Sequence, residues 1–315
     1  MSGSTSNYIA STTSYATRQI TFQFQLGEKG RSFSGSKSNT LTVTGLRALC
    51  SFQSAIGDTL PQGIMQIYGL SLDQMNTLTT AGKYLFGPNK PGVNTVTVSA
   101  GIANGPMSTI FQGTIVEAYP DGNQPNMAFF VRAVFGIQNL QYQITTPTTF
   151  KGSVPIGTVM QAIAQKANIN FENHGVTSVL SNPYFAGSAR VQMVQAANAA
   201  NAYIYFDNIK NTVAIWPMPK GSRGSSGIIV SPATGMIGYP AFEAAMINVK
   251  TIYDPGLIFI PGETFEVRST FGAANGKWII INCDINISSQ MPKGPWEIMV
   301  RGGNPDNVPN GPQPN

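Results

Sequence analysis

Alternation of apolar and polar positions is the strongest pattern along this chain. In "RQITFQFQLGE", Ile20, Phe22, Phe24 and Leu26 fall on one face, and Thr21, Gln23 and Gln25 on the other. That period of two is the mark of a half-buried β-strand. "NTLTVTGLRALCSFQSA" continues it, with Leu46, Ala48, Cys50 and Phe52 sharing a face. "GIMQIYGLSLDQMNTLTTAG" is strand-like to Tyr68, then moves to helical spacing at Leu72, Met75 and Leu78. "NTVTVSAGI", "STIFQGTIVEAYPDG" and "NMAFFVRAVFG" predict further strands, with "PDGNQP" as a turn between the last two. Residues 19–149 are therefore expected to form one antiparallel β domain with a single helix.

The pattern then changes. "GSVPIGTVMQAIAQKAN" places Ile156, Val159, Met160, Ile163 and Ala167 at helical spacing, with Ser153 as the candidate N-cap. "INFENHG" reads as a short strand. "GSARVQMVQAANAANA" predicts a second helix capped by Ser188, with Gln192, Gln195, Asn198 and Asn201 on a polar face. "YIYFDNIKNTVAIWP" predicts a hairpin around Asp207 to Asn211. Residues 150–217 thus read as a small α+β insert. "MPKGSRGSSG" reads as a solvated linker, after which "INVKTIY", "ETFEVRS", "GKWIIINCDINIS" and "PWEIMVRG" predict a second β domain over 218–302. Residues 1–18 and 303–315 are expected to be flexible arms.

Composition sharpens this picture. Only 10% of residues are charged, against 33 Gly, 21 Pro and abundant Asn, Gln, Ser and Thr. A surface so short of charge is a solubility risk for a free monomer, which points to permanent assembly. The net charge of +5 is scattered rather than clustered, unlike a nucleic-acid-binding face. No apolar run reaches the length of a membrane span, and the first residues hold no apolar signal segment. Folding in a cytoplasm without membrane insertion is expected, with Cys50 and Cys283 as free thiols in β cores.

Candidate chemistry is sparse. His174, the single histidine, sits near Glu172 but in a turn-like stretch without further partners in sequence. Glu263 and Glu266, three apart on a strand, point to opposite faces. Asp121 and Asp254 lie in ordinary turn sequences, and "GSRGSSG" lacks the ending of a phosphate loop. No catalytic residue, metal or cofactor is expected. Tyr184, Phe185, Tyr203, Tyr205 and Phe206 form an aromatic group that suits core and interface packing, or a stacking platform for bases or sugars.

Several stretches in order resemble the baseplate hub protein of contractile-tailed bacteriophages. They are "IYGLSLDQMNTLTT", "STIFQGTIVEAYPD", the insert from "GSVPIGTVMQ" to "AIWP", and above all "TGMIGYPAFEAAMINVKTIYDPGLIFIPGETFEVRST" with the strands that follow it. The resemblance implies a mainly β fold with two tail-tube-like antiparallel β-barrel domains around a small α+β insert. It implies a homotrimer that joins the hexameric tail tube protein to the trimeric central spike protein, with other baseplate proteins at its periphery. Phage DNA would meet the chain only in transit through the lumen. The location implied is the virion tail baseplate, assembled in the host cytoplasm. Gly235, Gly238 and Pro240 would then form a corner entering the second barrel. Pro255, Gly256, Pro261 and Gly262 would punctuate a strand edge or loop at a subunit contact. A tail-associated cell-wall hydrolase and a glycan- or peptidoglycan-binding module are the alternatives.

Overall fold

A computed structural model describes residues 17–28, 30–33, 37–81, 93–122, 127–143 and 145–305. Most of the expected N-terminal arm and of the C-terminal tail lies outside the described residues, while Arg18 and Gly303 belong to strands. The first part of the chain contains β1 (Arg18–Gln25), β2 (Thr40–Thr44), β3 (Ala48–Ala55), β4 (Gln62–Tyr68), helix α1 (Leu72–Leu78), β5 (Thr95–Ile102), β6 (Met107–Asp121) and β7 (Ala128–Val134). A π-helical turn over Ile137–Tyr142 and the short β8 (Thr148–Thr149) lead into the insert. There follow β9 (Ser153–Pro155), α2 (Ile156–Lys166), β10 (Asn170–Asn173), β11 (Val179–Ser181), β12 (Tyr184–Phe185), α3 (Ala189–Ala199), β13 (Ala202–Asp207) and β14 (Thr212–Pro217). The last part holds β15 (Gly224–Val230), β16 (Ala241–Glu243), β17 (Met246–Ile252), β18 (Glu263–Val267), β19 (Gly276–Ser289) and β20 (Trp296–Gly303).

The mainly β expectation holds, but the two β regions are not separate. Both belong to one 13-stranded sheet whose main path runs β16-β17-β20-β19-β3-β4-β7-β6-β5-β1-β2. β18 branches from β19, and β15 pairs in parallel with β18. Among the described residues the main path ends at β16 and β2 and the side branch at β15, so the described ladders close neither half into a barrel. The halves meet where β3 pairs antiparallel with β19, from Ala55 opposite Asn282 to Ala48 opposite Ser289. One apolar core spans both, including Phe22, Phe24, Phe52, Phe111 and Phe129 from the first and Val249, Phe265, Ile287 and Ile298 from the second. Cys50 and Cys283 are buried and free. They face Ile287 and Ser54 across the ladder rather than each other. Burial pushes both thiols well above their ordinary range.

Local signals explain most elements. Ser71 caps α1 through a reciprocal pair: Gln74 N donates to Ser71 Oγ at 3.2 Å, and Ser71 N donates to Gln74 Oε1 at 2.9 Å. Ser188 caps α3 by accepting from Val191 N at 3.4 Å. Ser153 does not cap α2. It lies in β9, and the helix begins after Pro155, which has no side chain to cap it. Gln192 departs from the expected polar face of α3. It is wholly buried, with Thr148 Oγ1 donating to its Oε1 at 2.7 Å and its Nε2 donating to the Thr146 and Gly187 carbonyls. Saturated hydrogen bonding lets a helix bury an amide that sequence alone assigns to solvent.

The insert builds a three-stranded sheet, β10-β14-β13, with β10 parallel and β13 antiparallel to β14. Its core takes in Leu60, Val134 and Phe135 of the main sheet region beside residues of α2 and α3. Its other face sets Tyr203, Tyr205 and Trp216 against Ile56 and Ile279. Tyr203 and Tyr205 are only 4% and 3% exposed, so they are packing residues and not an open stacking platform. The insert therefore covers apolar surface on both halves of the sheet.

Gly262 marks how tight that packing is. A Cβ there would meet the Trp216 ring at 2.5 Å, and its φ is +93°. Gly238, in a surface turn, has φ +69° but nothing within 4 Å of a Cβ. Gly262→Ala is expected to cost about 3 kcal/mol, from strain and overpacking together. Gly238→Ala should cost about 1 kcal/mol, from backbone strain alone. Equilibrium denaturation of both variants checks the order. Equal losses would show that the insert yields freely at Trp216.

Candidate functional site

Two features stand apart from ordinary packing: an aromatic sheet edge, and a buried charged joint. The edge is made by the chain from Met236 to Glu243 as it runs along β17. Ile237 N donates to the Lys250 carbonyl at 2.8 Å, Ile252 N donates to the Gly235 carbonyl at 2.9 Å, and β16 continues the pairing as far as Glu243 opposite Met246. A short 3₁₀ turn over Pro232–Thr234 turns the chain into this edge. Ser231 N donates to Thr234 Oγ1 at 2.8 Å, and that hydroxyl donates to the Ile229 carbonyl at 2.7 Å. Gly235, with φ +99°, reverses the backbone where residues with a Cβ are strained. Pro240 is buried and leads into β16.

What the edge presents is apolar. Tyr239 is 69% exposed, Phe242 52% and Phe271 51%. The Tyr239 and Phe271 rings meet edge to face at 5.1 Å. The sequence points to the glycines and the proline here, while the exposed rings beside them are those of Tyr239, Phe242 and Phe271. Phe271 comes from a different loop, so no local pattern could group it with Tyr239.

The two Pro-Gly pairs have different settings. Pro255 and Gly256 form a surface turn, in which Gly256 N donates to Asp254 Oδ1 at 2.7 Å and Leu257 N to the Asp254 carbonyl at 3.0 Å. Pro261 and Gly262 are buried inside the chain. Gly262 N donates to the Ile280 carbonyl at 2.8 Å, and its own carbonyl accepts from Arg223 N at 2.7 Å.

Arg223 was expected in a solvated linker, yet its side chain is 2% exposed. Nη1 donates to Asp207 Oδ2 at 3.1 Å and Nη2 donates to Glu172 Oε2 at 2.8 Å, while the guanidinium lies 5.7 Å from the centre of the Tyr205 ring. Asp207 Oδ1 accepts from the backbone N–H groups of Ile209 and Lys210, each at 3.0 Å. The arginine thus ties β10 and the β13–β14 hairpin of the insert to the strand region that follows. His174 also has a partner: its Nε2 lies 3.2 Å from Glu172 Oε2. Burial works to raise the Glu172 carboxyl, but hydrogen bonds from Arg223 and His174 outweigh it and hold it below the usual range. Burial raises the Glu263 carboxyl, and the nearby cations Arg223 and Lys210 offset that only in part. Glu172 is already engaged by Arg223, which makes this cluster a tie between elements. Among the described residues no group of three or more His, Cys, Asp or Glu side chains has the arrangement to hold a metal.

Arg223→Ala should destabilise the protein by about 3–5 kcal/mol, because it strands a buried Asp207 carboxylate. Denaturant titration checks it, and a loss below about 1 kcal/mol would make the joint an ordinary surface pair. Glu263 has the opposite sign. Its folded-state pKa is raised, so ionising it at neutral pH opposes folding, and that penalty disappears as pH falls through its folded pKa. Glu263→Gln is therefore expected to melt above the wild type at pH 7, with the gap closing toward pH 4. A gap that widens on acidification would reverse the assignment.

The comparisons with known proteins agree with this architecture. The family model described as baseplate hub gp41 matches residues 62–293, well over half of the chain. No curated protein sequence matches the chain. Among solved structures, the 43 kDa tail protein of prophage MuSo2 from Shewanella oneidensis is similar with a TM-score of 0.62 at 10% identity, covering 91% of this chain and 98% of that one. A tail protein from Neisseria meningitidis MC58 has a TM-score of 0.60 at 8% identity, covering 90% and 96%. An E. coli component of the type VI secretion system, described as structurally similar to the T4 bacteriophage tail proteins gp27 and gp5, has a TM-score of 0.55 at 8% identity, covering 81% and 73%. At such identities the structures speak for the fold alone. The family match carries the assignment: this chain belongs to the baseplate hub gp41 family and is a structural component of a bacteriophage tail.

Proposed function

We propose that the chain is a trimeric, non-enzymatic hub that joins a hexameric tail tube to a trimeric central spike, with its two β halves each standing for one tube subunit. The observation that carries this reading is the open sheet. Among the described residues its main path ends at β2 on one side and at the β16 edge, with Tyr239 and Phe242, on the other, beside a short branch that ends at β15. Exposed strand edges invite pairing with another chain, and two different edges on one molecule make a head-to-tail contact that closes into a ring when the rotation allows. Three copies joined in this way contribute six β halves, which suits a sixfold partner above and a threefold one below. The insert, set to one side of the sheet, is available to other baseplate proteins.

The solvent face of the first half fits a conduit wall. Thr42, Gln23, Thr97 and Gln112 line up across four adjacent strands, and Thr44, Thr21 and Ser99 form the next row. Thr21 and Thr44 share a hydrogen bond at 3.1 Å, and Ser99 and Thr109 share one at 3.2 Å. Polyanion binding rests on Lys and Arg. Uncharged rows of this kind let DNA pass without holding it. Assembly of this kind would take place in the host cytoplasm, and the finished protein would sit in the tail baseplate.

Cryo-electron microscopy of assembled tails tests the reading. Three copies in one threefold layer between tube and spike are expected, and six copies there would overturn it. Phe242→Lys should abolish tail assembly while moving the melting temperature of the isolated chain by no more than about 2 °C, since surface changes usually lie within ±0.5 kcal/mol. Tails that assemble normally with this variant would remove the β16 edge from the contact.

A further inference from the structure

Where the tip of the β13–β14 hairpin meets both halves of the sheet, the chain surrounds a cavity of about 130 Å³. Its apolar lining includes Ile110 of β6, Ile285 of β19, and Leu257 and Ile260 from the segment before β18. Two observations set this space apart from ordinary packing. The first is on β19. Cys283, Ile285 and Ile287 share the core face of that strand, and Cys283 and Ile287 are fully buried, yet Ile285 between them is only half-buried. Ile110, Leu257 and Ile260 are also half-buried, although they too pack against the cores. Inward-facing apolar side chains thus keep free surface where they line the cavity. The second is Asn208, at the hairpin tip. It lines the cavity and is 5% exposed, and its Nδ2 is buried without a hydrogen-bond partner among the described residues. A buried amide N–H that lacks an acceptor is unfavourable, and such groups are rare in native proteins.

We infer that this cavity is a binding site for a small neutral molecule with a compact apolar body and one acceptor oxygen, such as a ketone, whose oxygen accepts a hydrogen bond from Asn208 Nδ2. Size sets the first limit. A cavity of about 150 Å³ takes a benzene-sized guest, so this one admits a molecule of that order and no peptide segment. Polarity sets the second, because the other side-chain polar groups of the lining are already engaged. Ser108 Oγ donates to the Tyr253 hydroxyl at 2.8 Å, and that hydroxyl donates to the Ala100 carbonyl at 3.1 Å. Thr109 shares a hydrogen bond with Ser99 at 3.2 Å, Tyr205 is hydrogen-bonded with Ser54, and Asp207 accepts from Arg223 at 3.1 Å. Lys210 is exposed, and the carboxylates of Glu172 and Glu263 balance its charge. A charged guest would give up its hydration here without meeting a free counter-charge. The apolar wall and the single unspent donor therefore select a neutral guest. This inference does not rest on the hub reading.

The test is an NMR titration of the isolated full-length protein, labelled at the isoleucine methyls and the side-chain amides. Two probes of the same shape are compared, cyclopentanone and its hydrocarbon analogue methylenecyclopentane. Both are expected to shift the Ile110, Ile260 and Ile285 methyl signals saturably. Only cyclopentanone should shift the Asn208 side-chain amide signal. Asn208→Ala should weaken cyclopentanone binding by about fivefold, the scale of one hydrogen bond, and leave methylenecyclopentane binding within about twofold. If that variant fails to fold, the amide signal of the wild type decides alone. No saturable methyl shift with either probe, the result for a cavity that holds only water, would overturn the inference. So would an Asn208 amide that responds alike to both probes, or a variant that weakens both by the same factor.

Discussion

The antiparallel ladder between β3 and β19 is the constraint on which the rest depends. It joins strands more than two hundred residues apart in the chain, and it turns two β regions into one sheet with one core. Because strand register fixes which face each side chain takes, this ladder sets the alternation on both sides at once. Phe52 and Ile285 lie opposite each other across it, as do Cys50 and Ile287. A slip of one residue would turn Cys50 and Phe52 to solvent. The insert then packs against residues just beyond the same seam: Ile56 follows β3, and Ile279 belongs to β19.

The insert is held by two different kinds of force. Apolar contact is the larger, with Trp216 lying over Gly262 at a spacing that leaves no room for a methyl group. The second is the buried joint of Arg223 with Asp207 and Glu172, whose geometry is directional. Buried pairs of this kind contribute little net stability but penalise any arrangement that separates them. The pair therefore orients the insert, and packing supplies the stability.

The low charge of the chain has its counterpart in this arrangement. Several of the few charged side chains are paired, as in Lys250 with Glu297 at 2.9 Å and Arg301 with Glu243 at 3.1 Å. The solvent face of the first half is built from Thr, Ser and Gln, and the exposed rings of Tyr239, Phe242 and Phe271 lie together at the β16 edge. Such a surface discriminates by shape and edge pairing more than by long-range charge, which suits a component of a fixed assembly.

Much of the secondary structure was legible from the chain itself. The alternation through Ile20, Phe22 and Phe24 becomes β1, the helical spacing of Leu72, Met75 and Leu78 becomes α1, the capping signal at Ser188 starts α3, and the hairpin around Asp207 joins β13 to β14. These are local effects, set by side-chain period and by hydrogen bonds a few residues apart. The merging of the β regions into one open sheet was not legible, because strand pairing between distant segments leaves no mark in either one. The candidate sites divide in the same way. Gly235 and Gly238 were visible as backbone requirements, whereas the Tyr239–Phe271 contact and the burial of Arg223 in a Gly/Ser stretch depend on neighbours brought in from elsewhere. By itself the sequence determined the elements and their faces, because those follow from local periodicity. The tertiary structure alone decided which edges stay open and which charges find partners, because both depend on distances between residues far apart in the chain.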